Sequence, residues 1–204
     1  MVSMENLIKS YISENISVKE KILSDEKLVS KIALLAQFII EVYSPNADGD
    51  PEHSLFIGGN GGSASDAQHF AAEMVGRYKL ERRPLPATAL HVDTSALTAI
   101  SNDYGYDVAF SRVFEAYAKS GDVFIGISTS GNSKNIIEAV NYAKTKNVRT
   151  VGLLGKDGGK LKDLCDLSII VPSDNTPRIQ EAHIMIIHSA CEIAEKELFK
   201  WYKR

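Results

Sequence analysis

Cysteine, clustered positive charge and long apolar runs are all scarce in this chain of 204 residues. Its two cysteines, Cys165 and Cys191, are too few for a disulfide framework, so both read as free thiols in a reducing cytoplasm. Net charge is −3 with both signs mixed along the chain, and no basic block offers nucleic acid a footprint. The longest apolar runs, such as Ile184 to Ile187, are far too short to span a bilayer. The first 21 residues lack the apolar core of a signal peptide. Internal repeats and low-complexity segments are also missing. One domain is expected, large enough to bury about 70% of its extended-chain surface.

What is present centres on Leu55 to Tyr78, LFIGGNGGSASDAQHFAAEMVGRY. Leu55, Phe56 and Ile57 read as a buried strand, broken at Gly58-Gly59-Asn60-Gly61-Gly62, a stretch expected to lie outside any strand or helix interior. Ser63 with Asp66, or Ser65 with Gln68, is placed to form a capping box at a helix start. Free N–H groups and the helix dipole would then converge into an anion cradle. Along the helix, Ala67, Phe70, Ala71, Met74, Val75 and Tyr78 form the expected buried face. Asp66, His69, Glu73 and Arg77 share another stripe. His69 and Glu73, one turn apart, are a catalytic base or metal-ligand pair, or an exposed helix-stabilising pair. The glycine turn alone is weak: it could be a surface hairpin, or an imperfect dinucleotide fingerprint with Asp93 as the ribose acid.

Around this unit, residues 3–44 read as one or two helices, with the stretch from Leu28 to Val42 apolar on more than one side. A polar link, 44–51, leads to the first strand. Further strands are expected at 87–92, 123–127, 150–154 and 167–171, and helices at 95–101, up to Lys119, 134–146, 161–164 and from Arg178 to Trp201. Strands alternating with helices after an all-helical start predict an α/β fold, a doubly wound five-stranded parallel sheet flanked by helices. Ligands of such sheets gather at the carboxyl ends of the strands. There the turn Ser128-Thr129-Ser130-Gly131-Asn132-Ser133 supplies four hydroxyls and a helix N-terminus for a phosphate. An ordinary turn with Ser133 as N-cap would account for only one of those hydroxyls. On the closing helix, Gln180, Glu181, His188 and Glu192 occupy one sector. His183, outside it, reads as a structural core histidine.

The segments FIGGNGGSASDAQHFAAEMVGRY, AISNDYGYD, ISTSGNSKNI and RIQEAHIMIIH, in that order, resemble the phosphoheptose isomerase family of sugar isomerase (SIS) domains. The resemblance covers residues 55–200 and implies a single flavodoxin-like SIS domain over 1–204. Residues 1–44 would be helices for packing and oligomerisation, and 54–202 the α/β core. It implies isomerisation of sedoheptulose 7-phosphate to D-glycero-D-manno-heptose 7-phosphate, through an enediol, for the heptose of lipopolysaccharide or another surface polysaccharide. Glu73 would be the general base and His188 the general acid. Zinc, one per subunit, would be held by His69, Glu73, Gln180 and His188. Asn60, Gly61, Gly62, Glu73, Asn102, Asp103, Ser128, Thr129, Ser130, Ser133 and Gln180 would hold substrate. A cytoplasmic homotetramer is implied, with sites between subunits and no nucleic-acid or membrane partner.

The link at 45–53 is longer than is usual in that family, and Pro177 replaces a more usual small or acidic residue. Zinc on Glu73 and His188 would compete with their proton transfer. The same resemblance admits an SIS-fold regulatory protein that binds the replication initiator, although a base–acid pair argues for an enzyme. Gln180 and His188, about 12 Å apart along a helix, must both lean towards a common ion. That strain predicts that Glu73 and His188 of one site come from different chains.

Overall fold

A computed structural model describes residues 2–44 and 51–200. Most of the polar link, and Trp201, lie outside the described residues. Two helices come first, α1 (Met4–Ser24) and α2 (Glu26–Val42). Asp25 divides them, accepting the Lys27 and Leu28 N–H groups at 3.0 and 3.1 Å as the cap of α2. α2 buries Leu28, Leu35, Ala36, Ile39 and Val42, whereas α1 buries only Val18 and Ile22. Its Leu7, Ile8, Tyr11, Ile12 and Ile16 remain exposed.

The strands β1 (Leu55–Gly59), β2 (Ala87–Ala89), β3 (Val123–Ser128), β4 (Arg149–Gly155) and β5 (Leu167–Val171) form one parallel sheet in the order 2-1-3-4-5. The doubly wound expectation is met. Between the strands run α3 (Gly62–Val75), α4 (Thr94–Tyr104), α5 (Ala109–Tyr117), α6 (Lys134–Thr145) and α7 (Leu161–Leu164), and α8 (Thr176–Leu198) follows β5. Each sheet face has its own core. Leu55, Ile57, Ile125, Val151 and Leu153 pack with Ile39, Phe70 and Ile186 on one face. Phe56, Phe124 and Leu154 pack with Phe110, Phe114, Ile136 and Val140 on the other. Strands covered on both sides need apolar residues at successive positions, as these have. Strand order reverses between β1 and β3, which sets the glycine and serine turns side by side at the carboxyl edge.

Several local expectations are corrected. Gly58 and Gly59 belong to the buried interior of β1. They are glycine because neighbours approach closely: a methyl group at Gly58 would meet Ile136, Phe110 and Phe124 at 3.1–3.3 Å, and one at Gly59 would overlap the Ser63 carbonyl. No capping box forms. The cap of α3 is Gly61, at φ +54° and without a side-chain bond, so no side chain competes for the first N–H groups. The helix stops at Val75, which is exposed, and Tyr78 lies beyond it, partly buried. β2 is half its expected length. α4 runs on to Tyr104 and is ended by Gly105 at φ +89°. Pro177 falls in the first turn of α8, where its missing N–H costs nothing.

Candidate active site

α3 and α8 lie alongside one another on the same sheet face, and polar side chains meet along their seam. His69 Nε2 is 2.9 Å from His188 Nε2 and 3.2 Å from Glu73 Oε1. Donor atoms of all three residues lie within 4.8 Å of one another. The two imidazoles meet edge to face at 5.1 Å, with the Tyr78 ring 5.9 Å from His188. His69 is exposed and Glu73 half-buried, which leaves the group open to a ligand.

The cluster forms within a single chain, against the expectation that Glu73 and His188 come from different subunits. Helix α8 follows α3 in the same sense. Gln180 lies over Gly62, where a methyl group would meet its amide at 2.5 Å, and His188 lies beside His69. The separation of Gln180 and His188 along α8 is therefore matched by that of Gly62 and His69 along α3. His188 needs no second chain to reach Glu73. Gln180 faces the glycine turn at the head of α3. The other two members of its sector turn elsewhere: Glu181 bonds Asn15 and Arg178, and Glu192 pairs with Lys196 and Lys79.

At the carboxyl edge, the Ser128 and Ser133 hydroxyls bond each other at 2.8 Å. Ser133 occupies the cap position of α6 without a side-chain capping bond. Ser130 Oγ accepts the Asn132 N–H at 3.2 Å, and Thr129 is half-buried beside it. Gly131, at φ +65°, admits no side chain because the Gly158 carbonyl lies against it. Asn60 and Asn135 exchange two amide bonds of 2.9 Å, and the Tyr106 hydroxyl donates to Asn60 Oδ1 at 2.8 Å. This brace joins the glycine turn to α6. It also occupies much of the Asn60 side chain expected to hold substrate. Asn102 and Asp103 are exposed on the last turn of α4, bonded to each other. The sequence reading missed Asn135 and Tyr106, although each stands in a segment it had singled out. A buried asparagine in a first helical turn was the available signal.

Burial shifts other titratable groups. It pushes the Asp66 carboxyl up to about 6 despite the nearby His69, and Asp66 Oδ2 has no partner among the described residues. It pulls His183 down to about 4, with Nε2 bonded to the Leu154 carbonyl at 2.9 Å, as expected of a structural histidine. Cys165 is raised to about 12 and Cys191 further, chiefly by burial, so both thiols are protonated and inert. Asp93, offered above as a ribose acid, caps α4 through the Ala96 N–H at 2.9 Å. A cavity of about 610 Å³ between β2, α4 and α5 shares no residue with the histidine cluster.

Comparison with known proteins gives the arrangement a context. The family model described as SIS domain matches residues 11–155. A phosphoheptose isomerase of Sulfurimonas denitrificans is 50% identical over 196 residues, 96% of this chain and 97% of that protein. One of Geobacter sulfurreducens is 54% identical over 175 residues, 86% and 89% of the two. A solved phosphoheptose isomerase of Neisseria gonorrhoeae superposes with a TM-score of 0.86 at 40% identity, covering 95% of this chain and all of that one.

Proposed function

The chain belongs to the SIS-domain family of phosphoheptose isomerases, and on that premise we propose that it converts sedoheptulose 7-phosphate to D-glycero-D-manno-heptose 7-phosphate. The activity is that of an aldose–ketose isomerase. Its proposed use is heptose for lipopolysaccharide or another surface polysaccharide. One observation carries this reading: a carboxylate and two imidazoles converge within 4.8 Å on the open seam of α3 and α8.

The reaction moves a proton between C1 and C2, which needs a base over carbon and an acid at the oxygens. Glu73 takes the proton from C1 while His188 protonates the C2 carbonyl oxygen, giving the enediol. Glu73 then returns the proton to C2 as His188 takes one from O1, and each is worth about 10²–10⁴-fold. His69, bonded to both, orients them. The hydroxyls of Ser128, Thr129, Ser130 and Ser133 and the N-terminus of α6 take the phosphate. Asn60, Gly61, Gly62, Asn102, Asp103 and Gln180 hold the sugar.

The donor set suits zinc. Separations of 2.9 and 3.2 Å are close to the edge of about 3.3 Å expected for tetrahedral arms of about 2.0–2.1 Å. His69, Glu73, His188 and Gln180 would hold the ion, one per subunit. It would supply Lewis-acid polarisation of substrate oxygens.

The proposed enzyme is a cytoplasmic homotetramer built on one domain, 1–204. Residues 1–44 serve packing and oligomerisation on the core, 54–202. The exposed apolar residues of α1 support that assembly. No described helix is long and apolar enough to cross a membrane. A regulatory protein binding the replication initiator would have no use for a base and an acid in contact. Incubation with sedoheptulose 7-phosphate should yield the heptose phosphate. Turnover of six-carbon sugar phosphates alone would overturn the assignment.

A further inference from the structure

The seam of α3 and α8 carries a second polar cluster, and this one is buried. Where α3 stops, its last carbonyls lack helical partners. The Arg82 guanidinium takes up two of them, donating to the carbonyls of Glu73 at 2.7 Å and Met74 at 2.8 Å, and it also donates to those of Gly76 at 3.4 Å and Arg83 at 3.0 Å. A cation there also complements the negative end of the helix dipole. Arg82 Nε donates in turn to Glu195 of α8 at 2.9 Å. The Glu195 carboxylate accepts three more bonds, from the N–H groups of Tyr78, Lys79 and Leu80 at 3.0, 2.7 and 2.9 Å. The four bonds to Glu195 cross from the segment after α3 to one side chain of α8, and those from Arg82 to carbonyls tie that segment back to the end of α3.

We propose that Arg82 and Glu195 are positioning residues, a clasp between α3 and α8 that sets the spacing of Glu73 and His188. Three observations support the role. First, Arg82 grips the backbone carbonyl of Glu73 itself. Second, Glu195 lies seven residues beyond His188, two turns on and on the same helix face. Any slip of the clasp therefore moves one reacting group against the other. Third, the pair is dry: the two side chains are 0% and 3% exposed. Buried ion pairs are weak devices for stability, because apolar side chains of similar volume can replace them with little loss. What apolar side chains cannot do is hold seven backbone groups in direction and register. A displacement of about 1 Å between reacting groups can cost about 10²-fold in rate.

The proposal rests on the isomerase reading, so its test includes a measurement independent of turnover. Two variants of the full chain are compared with wild type: Glu195→Gln, and the apolar pair Arg82→Met with Glu195→Leu. The apolar pair should fold with a lowered Tm, because the N–H groups of Tyr78, Lys79 and Leu80 lose their acceptor. Its KM for sedoheptulose 7-phosphate should change less than about twofold while kcat falls about 10–10²-fold. In metal-free protein labelled with ¹⁵N at histidine, the ring resonances of His69 and His188 should shift and that of His183 should not. A folded apolar pair with wild-type kcat and unshifted His69 and His188 rings overturns the clasp, and the same result in Glu195→Gln would do so alone. If wild type turns over no sugar phosphate, the isomerase reading fails, and the ring resonances still decide the clasp.

Discussion

Helix α8 presents one histidine to the sheet and another to α3, and the two faces put the same side chain to different uses. His183 faces inward, fully buried, with Nε2 fixed on the Leu154 carbonyl and its protonation suppressed by burial to about 4. His188 faces the seam, where its partners are another imidazole and, one contact further, a carboxylate. Access to water and to a titratable partner separates a structural histidine from a chemical one. Position on the helix matters only because it decides that access.

The largest effects are expected at the seam. Glu73→Gln keeps shape and hydrogen bonding but removes basicity, so kcat should fall at least about 10²-fold with KM little changed. His188→Asn should do the same. Steady-state kinetics with a wild-type kcat in either variant would remove that residue from the reaction. Because both residues meet within one chain, mixed oligomers of Glu73→Gln and His188→Asn subunits should stay inactive after dissociation and reassembly. Recovered activity would restore the two-chain site.

A smaller effect is expected at the serine turn. Single alanine changes at Ser128, Thr129, Ser130 or Ser133 each remove a bond to phosphate worth about 1.5–3 kcal/mol, and should raise KM about tenfold or more. If KM is unchanged in all four, phosphate binds elsewhere.

The smallest effect belongs to the inner face. His183→Gln should leave kcat near wild type and cost about 1–3 kcal/mol of stability, read from the urea midpoint. The pH dependence has a definite sign. The folded value of His183 lies below the ordinary 6.5, so the unfolded chain binds more protons between about pH 6.5 and 4. This stabilisation is complete above about 6.5 and is lost as pH falls through that window, by at most about 1.4 kcal/mol per unit. Asp66, raised to about 6, works in the opposite direction, gaining as pH falls. The decisive quantity is therefore the difference between wild type and His183→Gln, which should flatten above pH 6.5. Parallel curves would show that His183 does not titrate with folding.

Much of the fold was legible in the chain. β3, β4, β5 and α7 lie within a residue or so of expectation, because apolar runs bounded by glycine and polar turns signal buried parallel strands. Gly58 and Gly59 were misread because local propensity cannot see that Ile136 and Ser63 will crowd the strand. In the site, His69 and Glu73 were visible as a helical pair, whereas the partnership of His69 with His188 spans 119 residues, leaves no periodic trace and was legible only through the family resemblance. The Arg82–Glu195 clasp, 113 residues apart and outside the motifs of that resemblance, escaped notice. Its one visible sign was a glutamate among Cys191, Ala194 and Leu198 on an apolar helix.

That span of 119 residues also sets a clock during synthesis. At about 5–20 residues per second, a ribosome adds His188 roughly 6–24 s after His69. For that interval the apolar face of α3, with Ala67, Phe70, Ala71 and Met74, has no α8 to cover it. The nascent chain thus passes through a stage in which α3 can pack on β1 and β2 but its flank towards α8 is uncovered and the catalytic centre is not assembled. Slow translation between α3 and α8 would lengthen the stage in which aggregation, rather than activity, is the available outcome.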